Sequence, residues 1–313
     1  MNQGFDEGYE VTGHYNYKVY PEQDITDPEE YSADQITKKT IDFMKRQVEN
    51  ATPFFAYVPY YLVHKPLQPK KVHLRHFKEE LKNVDGLGDD EIKVLAMIKS
   101  LDDCVGQLIH SIEEMGIAEN TIIVFTSDNG HYKTNGNLFN MPYNGYKGQT
   151  LEGGIRVPYI FKWPARIKES SVSNVPIIHV DLYPTFLGLT GIKPKERYVL
   201  DGEDISPILL GEKKDTDRDA LVWEYTNYAR YNERTNRFAS SWVNVIQMDG
   251  FKMTEDVENQ SYRLFNLNLD PYENNEVSKK YPKVVNKLRE RLELWKEQVG
   301  YEKPILNSNY NPN

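Results

Sequence analysis

The strongest constraint on the fold is a long helical repeat that runs straight into a strand. Ile92, Leu95, Ile98, Leu101, Val105, Leu108, Ile112 and Met115 recur at three- and four-residue steps. That period predicts one amphipathic helix over residues 89–115. Asp89 and Asp90 suit its positive N-terminal end, and Gly116 suits its C-terminal stop. The segment NTIIVFTSDNG follows, and its β-branched run at 121–126 predicts a strand buried on both faces. Upstream, residues 34–49 place Ile36, Ile41, Phe43, Met44 and Val48 near one helical face. PFFAYVPYYLVH, from Pro53, predicts a buried strand that ends in a polar loop at His64. Strand, helix and strand in this order predict an α/β domain with a mostly parallel central sheet. Ligands of such sheets bind just beyond the carboxyl ends of the strands. His64 and the Ser127-Asp128-Asn129-Gly130 turn are the polar groups at those ends.

Residues 1–33 are rich in Gly, Tyr, Asp and Glu without a sustained period and read as loop. YKGQTLEGGIRVPYIFKWP, from Tyr146, reads as a glycine-rich loop leading into a strand at 157–162. PIIHVDLYPTFLGLT, from Pro176, reads as a short strand or turn and then a helix opening at Pro184. After about residue 219 the pattern changes to short antiparallel strands near 220–226, 241–247, 251–254 and 262–266. A last amphipathic helix over 281–298 carries Val284, Val285, Leu288, Leu292 and Trp295 on one face. Residues 1–218 are therefore expected to form one α/β region. Residues 219–300 are expected to form an antiparallel-sheet subdomain with a terminal helix, and 301–313 a frayed tail.

Composition narrows the function. The 313 residues carry a formal net charge of -9, which repels nucleic-acid phosphates and argues against a general nucleic-acid binder. An anionic small substrate then needs a local positive focus. No stretch approaches the roughly 18 apolar residues of a membrane helix. The first residues, MNQGFDEGYE, lack the basic and apolar regions of a signal peptide. Cys104 is the single cysteine, so it forms no internal disulfide and anchors no multi-cysteine zinc site. Nothing near it in sequence activates a thiolate, and it reads as a packed small residue. No GxSxG elbow, GxxxxGK[ST] loop or HExxH helix is present.

Four segments offer chemistry. Asp128 and Asn129 are hard oxygen donors suited to Ca²⁺ or Mg²⁺, or else an Asx turn that ends a strand. His64 is a ligand or proton donor at a strand end, or a structural histidine. Lys147, flanked by Gly145 and Gly148, is a cation on a loop open to close approach, or a solvated charge. Glu152 and Arg156 suit an ion pair that shapes the Gly153-Gly154 turn. His131 lies beside the Asp128-Asn129 pair, and His14 and His179 are weaker candidates. Tyr225, Tyr228 and Tyr231 suit either a sugar-stacking surface or packing.

Read together and in order, these segments resemble the sulfatase family, within the alkaline-phosphatase-like superfamily. GFDEGY is similar to its GFD-aromatic segment, and PFFAYVPYYLVHKPLQPK to its PFF-strand-HxP segment. SLDDCVGQLIHSIEEMGIAENTIIVFTSDNG resembles its helix-strand-SDNG unit. YKGQTLEGGIRVPYIFKWP resembles its K-G-x-x-x-E-G-G-x-R-V-P block. HVDLYPTFLGLTG, DGEDISPILLG and YRLFNLNLDPYENNEV resemble later blocks.

The resemblance implies an alkaline-phosphatase-like sandwich whose parallel sheet is incomplete in this chain. It also implies calcium-assisted hydrolysis of a sulfuric ester on a glycan or aryl alcohol. Asp128 and Asn129 would supply two metal ligands, for calcium or alternatively magnesium. Lys147 would bind sulfate oxygens, His64 would contact sulfate and protonate the leaving oxygen, and His131 would line the pocket. The nucleophile of the family is a formylglycine made in a C/S-x-P/A-x-R motif ahead of the GFD segment, and no such motif occurs here. The chain is thus expected to be a C-terminal portion, inactive and poorly soluble without an N-terminal partner half. A periplasmic or extracellular location follows by the same analogy. A phosphoester or phosphonate hydrolase of the same superfamily, and a non-catalytic remnant, are the competing readings.

Overall fold

A computed structural model describes residues 4–15, 17–21, 29–193, 199–227, 231–232, 237–238 and 241–302. The chain divides into two compact units: Met1–Ile122 with Trp163–Ala165, and Ile123–Lys162 with Arg166–Asn313. The boundary expected at 218/219 falls inside the second unit.

The first unit is built on three helices, α1 (Ser32–Glu49), α2 (Lys71–Glu80) and α3 (Asp89–Glu114). α3 packs against both of the others. Its start is fixed as the acidic run predicts: the Gly88 N–H donates to the Glu91 carboxylate at 3.0 Å, with Asp89 and Asp90 beside it at the positive helix end. The stripe read from the period is buried only in part: Ile112 is buried, and Ile92, Leu95, Leu101, Val105 and Leu108 are half-buried. Val94, Met97, Ser100 and Cys104 are fully buried, whereas Ile98 is 41% exposed. The helix is apolar on two adjacent stripes, and periodicity alone does not decide which one its neighbours cover.

Residues 1–33 are not all loop. β1 (Glu10–Thr12) and β2 (Lys18–Tyr20) pair antiparallel with Val11 opposite Val19. The hairpin is tied to the start of α1, where the Ser32 N–H donates to the His14 carbonyl at 2.9 Å and the Ser32 hydroxyl to Gly13 at 2.7 Å. α2 lies in a stretch with no assignment from sequence, because its apolar positions are few among His, Lys, Arg and Glu.

In the second unit β3 (Ile123–Thr126) pairs with β4 (Tyr159–Lys162), close to the predicted 121–126 and 157–162. Helices α4 (Glu152–Ile155), α5 (Leu182–Thr190) and α6 (Ser206–Leu209) are short. β5 (Leu221–Asn227), β6 (Tyr231–Asn232), β7 (Arg237–Phe238), β8 (Ser241–Met248), β9 (Phe251–Asp256) and β10 (Ser261–Asn266) follow, then α7 (Pro282–Val299). Four of these form an antiparallel sheet in the order β10-β9-β8-β5.

Side-chain alternation gives that sheet two working faces. Ile246, Met253 and Leu264 meet Leu288 and Leu292 of α7 in one core. The opposite face carries Trp223, Tyr225, Val245 and Lys252, which are in register across the strands or alternate with them. Pro at the first position of α7 and Gly300 at φ 63° just past its end bound the helix.

Two expectations need correction. The β3–β4 pair is antiparallel, with Thr126 opposite Tyr159, and every strand pairing among the described residues is antiparallel. The expected mostly parallel sheet is therefore not present among them. Residues 53–60 form no strand, and Phe55 and Tyr57 are 58% and 69% exposed. An apolar run becomes a strand only where another chain segment completes its hydrogen-bond ladder. Tyr228, the side chain of Tyr231 and the tail beyond residue 302 lie outside the described residues.

Candidate functional site

The turn after β3 and the glycine-rich loop after it are locked together through the backbone. The Gly130 N–H donates to the Gly154 carbonyl at 2.9 Å, and the Lys147 N–H donates to the His131 carbonyl at 2.9 Å. Such closeness demands the absence of side chains. A Cβ on Gly130 would lie 2.0 Å from the Gly153 carbonyl oxygen, and one on Gly154 would lie 2.2 Å from that of Gln149. The Asn140 side chain completes the joint by accepting from the His131 N–H at 2.8 Å and donating to its carbonyl at 2.9 Å. Asp128, Asn129, His131 and Lys147 thereby stand on two mutually bonded segments.

Asp128 and Lys147 are exposed and Asn129 half-buried. The Asn129 amide donates to the Asp128 carboxylate at 2.8 Å. The half-buried His131 ring packs on Tyr132 and Phe139, with centroids at 4.2 and 4.8 Å, and its Nδ1 meets the Tyr132 carbonyl at 2.8 Å. His179 buttresses the strand end, its Nε2 donating to the Ser127 carbonyl at 2.8 Å. Glu152 and Arg156 form the expected ion pair at 3.4 Å.

His64 belongs to the first unit, and its surroundings define its chemistry. Its Nδ1 lies 2.8 Å from the Lys65 carbonyl and 3.2 Å from the Tyr61 hydroxyl. A carbonyl only accepts, so the Nδ1 that faces it carries a proton. The fully buried His14 donates from Nε2 to the His64 carbonyl at 2.8 Å and packs against Tyr61 at 5.0 Å. Burial holds the His14 pKa below the ordinary histidine value, against the opposing hydrogen bond to the His64 carbonyl. Sequence reading ranks His14 low because its contact spans fifty positions along the chain.

Cys104 is buried, and burial pushes its thiol up to about 11, as expected of a packed cysteine. For a cation, Asp128 and Asn129 offer the oxygen chemistry that calcium or magnesium prefers. Calcium takes about six to eight oxygens, so this pair fills part of a shell. No group of three or more His, Cys, Asp or Glu among the described residues could hold a metal.

With mixed helices and sheets, a small antiparallel C-terminal sheet and a terminal helix, the chain has the alkaline-phosphatase-like fold, as its likeness to the crystal structure of Ps i-CgsB shows (TM-score 0.74, 27% identity). The chain belongs to the sulfatase family: the family model described as Sulfatase matches residues 1–192. A second model, described as N-sulphoglucosamine sulphohydrolase, C-terminal, matches residues 146–298. The chain is 29% identical over 282 residues to a Sulfatase of Formosa agariphila, covering 84% of this chain and 49% of that protein. It is 30% identical over 234 residues to the human Steryl-sulfatase, covering 71% of this chain and 37% of that protein. The crystal structure of Ps i-CgsB in complex with k-i-k-neocarrahexaose superposes with a TM-score of 0.74 at 26% identity, over 89% of this chain and 57% of that one. The chain thus spans about half the length, or less, of these relatives. No helix among the described residues is long and apolar enough to cross a membrane.

Proposed function

We propose that this chain contributes sulfate-binding and proton-donating groups to the hydrolysis of a sulfuric ester. The observation that carries the proposal is the backbone joint between the SDNG turn and the lysine loop. It brings an oxygen-donor pair and a cation, separated along the sequence, onto adjoining segments. Lys147 binds the sulfate oxygens and stabilises the negative charge that grows on them as the S–O bond breaks. His64, with its Nδ1–H held by the Lys65 carbonyl, acts as the doubly protonated imidazolium and gives its Nε2 proton to the departing alcohol oxygen, ending as the neutral Nδ1–H ring. Asp128 and Asn129 would hold two positions around a calcium ion. When present, such an ion and a formylglycine hydrate supply charge neutralisation and the attacking oxygen.

The substrate class is a sulfated glycan or an aryl sulfate. Ps i-CgsB, crystallised with a neocarrahexaose, supports the glycan reading, and the human relative described as Arylsulfatase H supports the aryl reading. The K-G-x-x-x-E-G-G-x-R-V-P block favours sulfate over phosphate.

The test is hydrolysis of 4-nitrocatechol sulfate and 4-nitrophenyl phosphate by the full-length protein. Sulfate is expected to turn over in preference to phosphate. Lys147→Ala is expected to lower kcat/KM by roughly 10²–10³-fold, the scale of losing one preorganised charge-stabilising donor. Unchanged turnover in that variant, or preference for phosphate, rejects the assignment.

A further inference from the structure

Lys252 sits on the face of the C-terminal sheet opposite α7 and is fully buried. Its ammonium lies 2.8 Å from a Glu152 oxygen, 2.7 Å from a Glu273 oxygen and 3.1 Å from the Thr150 carbonyl. Glu273, 4% exposed, uses its other oxygen to accept from the Glu152 N–H at 2.6 Å. The three residues come from β9, from the start of α4 and from the loop after β10. Lys252 meets Thr150 and Glu152, and Glu273 meets the Glu152 N–H, so both hold residues 150–152, the far end of the loop that carries Lys147.

Two features make this more than a packing detail. Gathering two carboxylates and one ammonium away from water costs several kcal/mol per ion, and apolar side chains of similar size would stabilise the fold as well or better. The cluster is therefore weak grounds for stability, while its contacts tie three separate segments together. The rest of the loop is also tied at each end: the Gly153 N–H donates to the Asn144 carbonyl at 2.7 Å, and the Asn144 side chain reaches the Glu273 carbonyl at 3.3 Å. Next to Lys147 in the chain, Gly148 faces the Tyr225 hydroxyl of β5, which would stand 3.3 Å from a Cβ on that glycine. One sheet face therefore touches the lysine loop at Gly148 and at residues 150–152.

We propose that Lys252 is a positioning residue for Lys147: with Glu152 and Glu273 it pins the far end of the lysine loop and sets where the Lys147 ammonium stands relative to the Asp128-Asn129 turn. This rests on the sulfate-binding reading of Lys147. Lys252 does not touch the substrate. It acts by keeping the loop in one conformation, so that the charge on Lys147 is already in place when charge develops on the sulfate.

The experiment pairs hydrogen exchange with kinetics on the full-length protein in wild type, Lys252→Met and Glu273→Gln. Lys252→Met is expected to speed exchange of the Lys147, Gly153 and Gly154 amides at least tenfold, while the amides of α7 and the α7-facing core keep their protection. Its kcat on 4-nitrocatechol sulfate is expected to fall at least tenfold, with KM changed less than threefold. Lys252→Arg, which keeps the charge, should recover part of kcat. Glu273→Gln is the milder change; it should move loop exchange and kcat in the same direction by a smaller factor, and it stands in if Lys252→Met does not fold. Wild-type loop exchange in both variants overturns the proposal, as does a fall in kcat without faster loop exchange. A wild-type protein that does not hydrolyse the ester sinks the sulfate-binding reading. The exchange arm then still decides whether Lys252 pins the loop.

Discussion

At the scale of single residues, the site depends on glycines as much as on charged groups. Gly130 is the clearest case, because its missing side chain is what lets the SDNG turn meet the Gly153-Gly154 backbone. Gly130→Ala forces the new methyl against the Gly153-Gly154 backbone, where no flexible side chain can yield. The expected cost is roughly 1–3 kcal/mol, the range for overpacking a tight interior, read as a lower urea midpoint. An unchanged midpoint would mean the turn and loop are not joined as described. The glycine-rich character of 145–154 was legible in the sequence, and so was the pairing of Glu152 with Arg156. The partners of Glu152 across the fold were not, since Lys252 and Glu273 stand a hundred or more positions away and match no local pattern.

At the scale of elements, regular periods were legible and neighbours were not. The helices at 34–49, 89–115 and 281–298 and the C-terminal strands follow from spacing, and the structure places them within a few residues. Which stripe of α3 is buried, and what completes the run at 53–60, depended on other elements. The joint between α7 and the sheet offers a test of electrostatics inside an element pair. Burial alone would raise the Glu255 carboxyl, but hydrogen bonds from Asn244 and Lys296, with Tyr262 on its other oxygen, hold it below the usual glutamate value. A lowered carboxyl contributes stability that is present above its unfolded-state value and is lost as pH falls through the folded one. The urea midpoint is therefore expected to drop on acidification below the ordinary carboxylate range, and Glu255→Gln should flatten that drop. Parallel curves for the two proteins would remove Glu255 from the account.

At the scale of the whole molecule, a cation bound only by the folded protein raises stability by mass action, by about 2.7 kcal/mol at a hundredfold excess over Kd. Calcium is thus expected to raise the Tm of the full-length protein, and Asp128→Ala to abolish the rise. A calcium response that survives Asp128→Ala would move the metal elsewhere. The sequence by itself determined the family, most helices and strands, and the residue types available for sulfate chemistry, because periodicity and local motifs are written in consecutive positions. Tertiary structure alone decided that β3 and β4 run antiparallel, that His14 supports His64, and that the sheet opposite α7 reaches the lysine loop through Lys252. Those facts depend on contacts between distant segments, where hydrogen-bond partners and desolvation, not local pattern, set which groups meet.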